Sequence, residues 1–93
     1  MTADDPTRTI WKYELPINDV VMVDMPMQAD VLCVAAQRDT LCLWARVDPA
    51  QRIERRAFCI VGTGHPIDVW VGRYIGTVLM AQDALVWHVF EHR

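Results

Sequence analysis

The chain has no long apolar run. Every apolar stretch is short and interrupted by charge, so no segment is expected to span a bilayer. It also has no Cys-x-x-Cys pair, and its three cysteines, Cys33, Cys42 and Cys59, are an odd number, which argues against a disulfide framework. No signal-peptide pattern opens the sequence, so the expectation is a reduced, cytoplasmic protein whose cysteines pack as small hydrophobes. Positive charge is scarce too. Nine basic residues against twelve acidic ones leave a net charge of -3, which speaks against non-specific binding to a nucleic-acid duplex. Arg52, Arg55 and Arg56 in "RIERR" form the one basic cluster. There is no G-x-S-x-G elbow and no phosphate-binding loop with its spaced lysine, and no paired-carboxylate constellation stands out.

Apolar residues, in contrast, are abundant: they make up 53% of 93 residues, with four Trp and five Met, and the mean hydropathy is positive. A chain of this length builds one domain, and a small domain buries a modest share of its surface. The surplus predicts either burial between copies, in a homo-oligomer, or an exposed apolar patch for a partner. Residues 1–8 are polar and read as a tail, leaving 9–93 as the domain.

Seven short runs rich in Val, Trp, Tyr and Thr, separated by turn signals, predict an all-β sandwich or small barrel of six to seven antiparallel strands. The segment "PAQRIERR", residues 49–56, leaves room for one short helix. "DVWVG" after Pro66 reads as a loop or short strand. A two-residue turn at Arg38-Asp39 would pair Gln37 with Thr40, Ala35 with Cys42 and Cys33 with Trp44. Leu32, Val34, Ala36, Leu41, Leu43, Ala45 and Val47 then share an aliphatic core face. Cys33 and Cys42 become diagonal neighbours about 7–8 Å apart, too far for an easy disulfide. A turn at Asp83 places Val78, Met80, Leu85, Trp87 and Val89 on one face. Ile75, Thr77, Leu79, Val86, His88 and Phe90 take the other, so both faces are apolar enough to be covered.

The most site-like segment is "IVGTGHPI". Backbone N–H groups of Gly62, Thr63, Gly64 and His65, with the Thr63 hydroxyl, would suit an anion; equally, the segment would serve as a tight strand-to-strand turn. Trp44, on the mixed face of its hairpin, and Arg46, Arg55, Arg56 and Arg73 would stack on and clamp a nucleotide-like ligand. The alternative is that the tryptophans are core and the arginines are solvated edges. His65 as the base of a small hydrolase is a minor reading, because it lacks an orienting partner. His88 and His92 lie about 13 Å apart on a strand, so no metal site and no cofactor are expected.

The ordered blocks "KYEL" (Lys12–Leu15), "MP" (Met25-Pro26), "LCLWARVDP" (Leu41–Pro49), "FCIVGTGHPI" (Phe58–Ile67), "YIGTV" (Tyr74–Val78) and "VWHVFE" (Val86–Glu91) carry a resemblance. With them the chain resembles an uncharacterised family of small proteins encoded by phages and prophages. The turn at Asp83-Ala84 departs from that pattern, in which a glycine is expected. The resemblance implies a small β-rich phage protein with no assigned activity or catalytic residues. By analogy with other small phage proteins, it implies a host-directed role. The expectation is a non-enzymatic binding protein, a homo-oligomer sequestering a phosphorylated small molecule such as a nucleotide immune signal (an anti-defence role). The alternative is a protein–protein interaction module, either an inhibitor of a host protein or a minor virion component.

Overall fold

The structure, a computed structural model, describes residues 7–67 and 71–92. The expected loop at "DVWVG" therefore falls partly outside the described residues, as does most of the tail. Seven strands follow one another: β1 (Thr9–Glu14), β2 (Val20–Pro26), β3 (Asp30–Gln37), β4 (Thr40–Val47), β5 (Ile53–Gly62), β6 (Val71–Met80) and β7 (Leu85–His92). They form a three-stranded sheet in the order β1-β4-β3 and a four-stranded sheet in the order β2-β5-β7-β6, with every ladder antiparallel. The chain is an all-β sandwich, and no helix occurs among the described residues.

Alternation decides what lies between the sheets. Leu41, Leu43, Ala45 and Val47 of β4 meet Val21, Val23 and Met25 of β2, Phe58 and Ile60 of β5, and Val78 and Val89 of the last hairpin, all buried. The sheets approach along β3 and β6. A Cβ at Gly76 would lie 2.9 Å from Val34 Cγ2, so only glycine lets the two edges come this close. Arg73 Nη2 donates to the Val31 carbonyl across the same seam at 3.4 Å.

Both hairpins form at the expected places. Arg38 and Asp39 have φ of 52° and 58°, the mirror-image two-residue turn that matches strand twist, and Gln37 pairs with Thr40. Cys33 and Cys42 pair with Trp44 and Ala35 as expected, and none of the three cysteines is joined in a disulfide. Three register shifts break the simple alternation, one of them at the start of β6 between Val71 and Arg73, and the other two change which side chains reach the core. One, between Val31 and Cys33, puts Val31 in the core and leaves Leu32 exposed, correcting the face assigned to Leu32. The other, between Tyr74 and Gly76, packs Ile75 against the core and sends Tyr74 to the outer face.

The short helix near residues 49–56 does not form. Asp48 captures the segment instead, its Oδ1 accepting from Ala50 N–H and its carbonyl from Gln51 N–H, both at 3.0 Å. Such a side-chain turn competes with helix, and Ile53 already pairs with Pro26 in the β2–β5 ladder. Pro26 is tolerated because β2 is an edge strand.

An ion pair faces inward. Arg56, between Val23 and Phe58 in the pattern, makes a two-pronged bond to Glu91 (2.7 and 2.9 Å) and donates to the Ala29 carbonyl at 2.6 Å. The guanidinium and carboxylate are 16% and 20% exposed, so the pair is largely withdrawn from water. Removing one partner strands the other charge.

Two expected outcomes follow. Glu91→Ala should lower stability by about 2–4 kcal/mol in urea unfolding, whereas replacing Arg56 and Glu91 together by apolar residues should cost far less. The β6–β7 turn carries Ala81, Gln82 and Asp83 at φ of 54°, 55° and 68°. Gln82→Gly should therefore raise the urea midpoint, by about 0.5–1 kcal/mol of stability.

Candidate functional site

The register fixes where the chain between β5 and β6 must run. Gly62 ends β5 opposite Trp87, while Val71 begins β6 opposite His92, at the other end of β7. β5 and β6, both antiparallel to β7, thus run parallel to each other on either side of it, and the chain between them has to return along the length of β7. Its first residues do so on the outer side of the sheet, where the Thr63 hydroxyl meets His88 Nε2 at 2.7 Å. His65 and Pro66, with Asp19, Val20, Cys59, Val61, Val71 and His92, surround a cavity of about 270 Å³. Cys59 lies on the outer side of the sheet, paired with Val20 and Phe90, yet is only 5% exposed.

The "GTGH" segment is a turn. His65 N–H donates to the Gly62 carbonyl at 3.0 Å, and Gly64 has φ of 87°. A four-residue turn with positive φ only at its third position is type II, the form that requires glycine there. The expected cradle of successive N–H groups is therefore reduced, since His65 N–H is spent on closing the turn. The N–H groups of Thr63 and Gly64 are not part of that bond.

The remaining expected ligand residues do not gather here. Trp44 is half-buried on the outer face of the three-stranded sheet, where Arg46 bonds Asp30 at 2.7 Å. Arg55 pairs with Asp24 at the other edge of the molecule's four-stranded sheet (2.9 Å). Its hydrogen bond, more than its bare charge, holds the Asp24 carboxyl below the usual range. Arg56 points inward to Glu91, and Arg73 reaches the β3 edge. Of the expected set, Gly62, Thr63, Gly64 and His65 are brought together, and Trp44, Arg46, Arg55, Arg56 and Arg73 are spread over three surfaces and the interior.

Three polar residues stand beside the turn: Thr77 and Tyr74, not singled out in the sequence as site residues, and His88, weighed there only as a metal ligand. Thr77 pairs with His88 across the hairpin, and its hydroxyl lies 2.9 Å from His88 Nδ1. Tyr74 Oη lies 2.6 Å from the Thr77 hydroxyl, and the Tyr74 ring stands 5.5 Å from that of Phe90. Both nitrogens of His88 are thus bonded to threonine hydroxyls, while His65 belongs to the cavity wall. Among the described residues, no group of three His, Cys, Asp or Glu side chains is placed to hold a metal ion.

Residues 6–93 match the family described as Domain of unknown function (DUF7352), and the chain belongs to that family. No curated protein matches the chain, nor does any solved structure.

A Cβ at Gly64 would meet nothing within 4 Å, so the cost of a side chain there is backbone strain alone. Gly64→Ala should lower stability by about 1–2 kcal/mol in urea unfolding, with no cavity or clash contribution.

Proposed function

We propose that this protein is a non-enzymatic binding protein that holds a small molecule in the cavity under the β5–β6 connection and works as a homo-oligomer. The observation that carries the reading is the connection itself. Its residues His65 and Pro66, with Asp19 and His92, stand around a hollow whose walls Val20, Ile60, Val61 and Val71 complete, so that polar and apolar surface face it in similar measure. Concave sites that combine apolar walls with a few placed polar groups are the usual form of small-ligand sites. Association is supported by large apolar side chains left at the surface. Val20, Met22, Ile53, Tyr74 and Leu79 are each about half exposed.

The finer reading is a phage or prophage protein acting in the host cytoplasm on a phosphorylated, nucleotide-like signal. Arg46, Arg55 and Arg56 are engaged within their own chain, so a phosphorylated ligand would draw its compensating charge from donors at the turn or from neighbouring copies. A second reading, a module docking on another protein, is favoured by Ile10 and Trp11, exposed on the edge strand β1.

Native mass spectrometry of gently purified protein tests both. An oligomer carrying a phosphorylated small molecule is the expected result, and the released mass identifies the ligand class. A bare monomer would remove the proposal and leave the docking module, which Trp11→Glu should then weaken in pull-down experiments.

A further inference from the structure

The polar groups on the outer face of the four-stranded sheet form one unbroken series. It runs from Tyr74 Oη to Thr77 Oγ1 (2.6 Å), on to His88 Nδ1 (2.9 Å), and from His88 Nε2 to Thr63 Oγ1 (2.7 Å). Each hydroxyl has one proton to give and two lone pairs to accept with, and the neutral imidazole has one N–H, so three arrangements of the series are possible.

In the first direction Thr63 donates to Nε2, Nδ1–H donates to Thr77, and Thr77 donates to Tyr74. In the second, Tyr74 donates to Thr77, Thr77 donates to Nδ1, and Nε2–H donates to Thr63. A phenol is a stronger donor than an aliphatic alcohol, so the second direction places the best donor at the head. Each bond then polarises the next. The first direction would leave the phenol accepting from an alcohol, and the third arrangement, in which Thr77 accepts from both Tyr74 and Nδ1–H, would break the polarised series at Thr77.

The second direction has two consequences. The lone pair of His88 is occupied by Thr77, so His88 is not poised to take a proton from Thr63, and Thr63 is not an activated nucleophile. Thr63, already accepting from the imidazole, has its own O–H free to point away from the sheet. It is exposed, lies between two glycines, and is followed by the Gly64 N–H that the turn does not use.

We infer that Thr63 is the terminal donor of a hydrogen-bond relay and that it receives an oxyanion, such as a phosphate group, together with the Gly64 N–H. The relay contains no carboxylate that would repel an anion. This rests on the binding reading above and adds to it the acceptor chemistry of the ligand and the roles of Tyr74, Thr77 and His88. Tyr74, Thr77 and His88 are positioning residues; among these relay and turn groups only the Thr63 hydroxyl and the Gly64 N–H touch the oxyanion, while the rest of the ligand occupies the cavity that His65 and Pro66 help to wall.

The test is a titration of isotope-labelled protein with inorganic phosphate at pH 7.5 and constant ionic strength, read by amide NMR. Saturable shifts are expected at Thr63 and Gly64. Thr63→Val should weaken the response at least tenfold. Tyr74→Phe, which keeps the ring against Phe90 and removes only the leading donor, should weaken it severalfold. A purely structural role for Tyr74 would leave phosphate affinity unchanged and overturns the relay, as does the absence of saturable shifts. If native mass spectrometry finds a ligand-bearing oligomer while phosphate gives no response, this inference alone fails. If it finds a bare monomer, the binding reading falls with it.

Discussion

A single inward-facing guanidinium organises this sandwich. Arg56 sits on a β5 face otherwise occupied by Phe58 and Ile60, and its charge is tolerated there because Glu91 takes it with two bonds and the Ala29 carbonyl takes a third. Those contacts join β5 to β7 and to the turn that carries the chain from one sheet to the other. They also bear on Tyr13, whose hydroxyl is buried without a partner: burial raises its ionisation point, and the nearby Arg56 charge only partly opposes this. Because strand side chains alternate, a slip of one residue between β5 and β7 would send the guanidinium and carboxylate to opposite faces. The ion pair therefore selects the register more than it adds net stability.

That register is what creates the candidate site. With Phe58 opposite Glu91, His88 falls opposite Val61 and the end of β5 falls near the start of β7. β6 then begins at the far end of β7, and the connection has to lie back along the sheet. The cavity, the type II turn and the contact between Thr63 and His88 are consequences of one pairing made on the inner face. A polar contact inside the sandwich thus determines what is displayed outside it.

Much of this was legible in the residues. Seven runs gave seven strands, and "RD" between alternating segments gave the β3–β4 hairpin with its register, because turn chemistry and alternation are local properties. That Thr77 and His88 share a face of the last hairpin was legible for the same reason. The bulges at Leu32 and Ile75 were not, since an extra residue in a strand leaves no local mark on the sequence. Neither was the loss of the helix near 49–56, decided by the Asp48 side chain and by β2 far away in sequence. The meeting of Thr63 with His88 depends on β7 inserting between β5 and β6, which no segment encodes alone. The arginines were misleading as a group, because composition shows how many there are and not which carboxylates they have already met.

The two hairpin tips touch: Asp39 Oδ1 accepts from Ala81 N–H at 2.7 Å. Each hairpin closes a short loop, so β3–β4 and β6–β7 are the cheapest pairings in chain entropy, and this contact joins them once they exist. β1 and β2 have no such local partner; they wait for β4 and β5, which lie far along the chain. The order of assembly that results is inside out. A chain emerging from the ribosome makes β1 and β2 before the strands they pair with, and it must keep "TIWKYE" and "VVMVDM" apart from other chains until β4 and β5 have been synthesised.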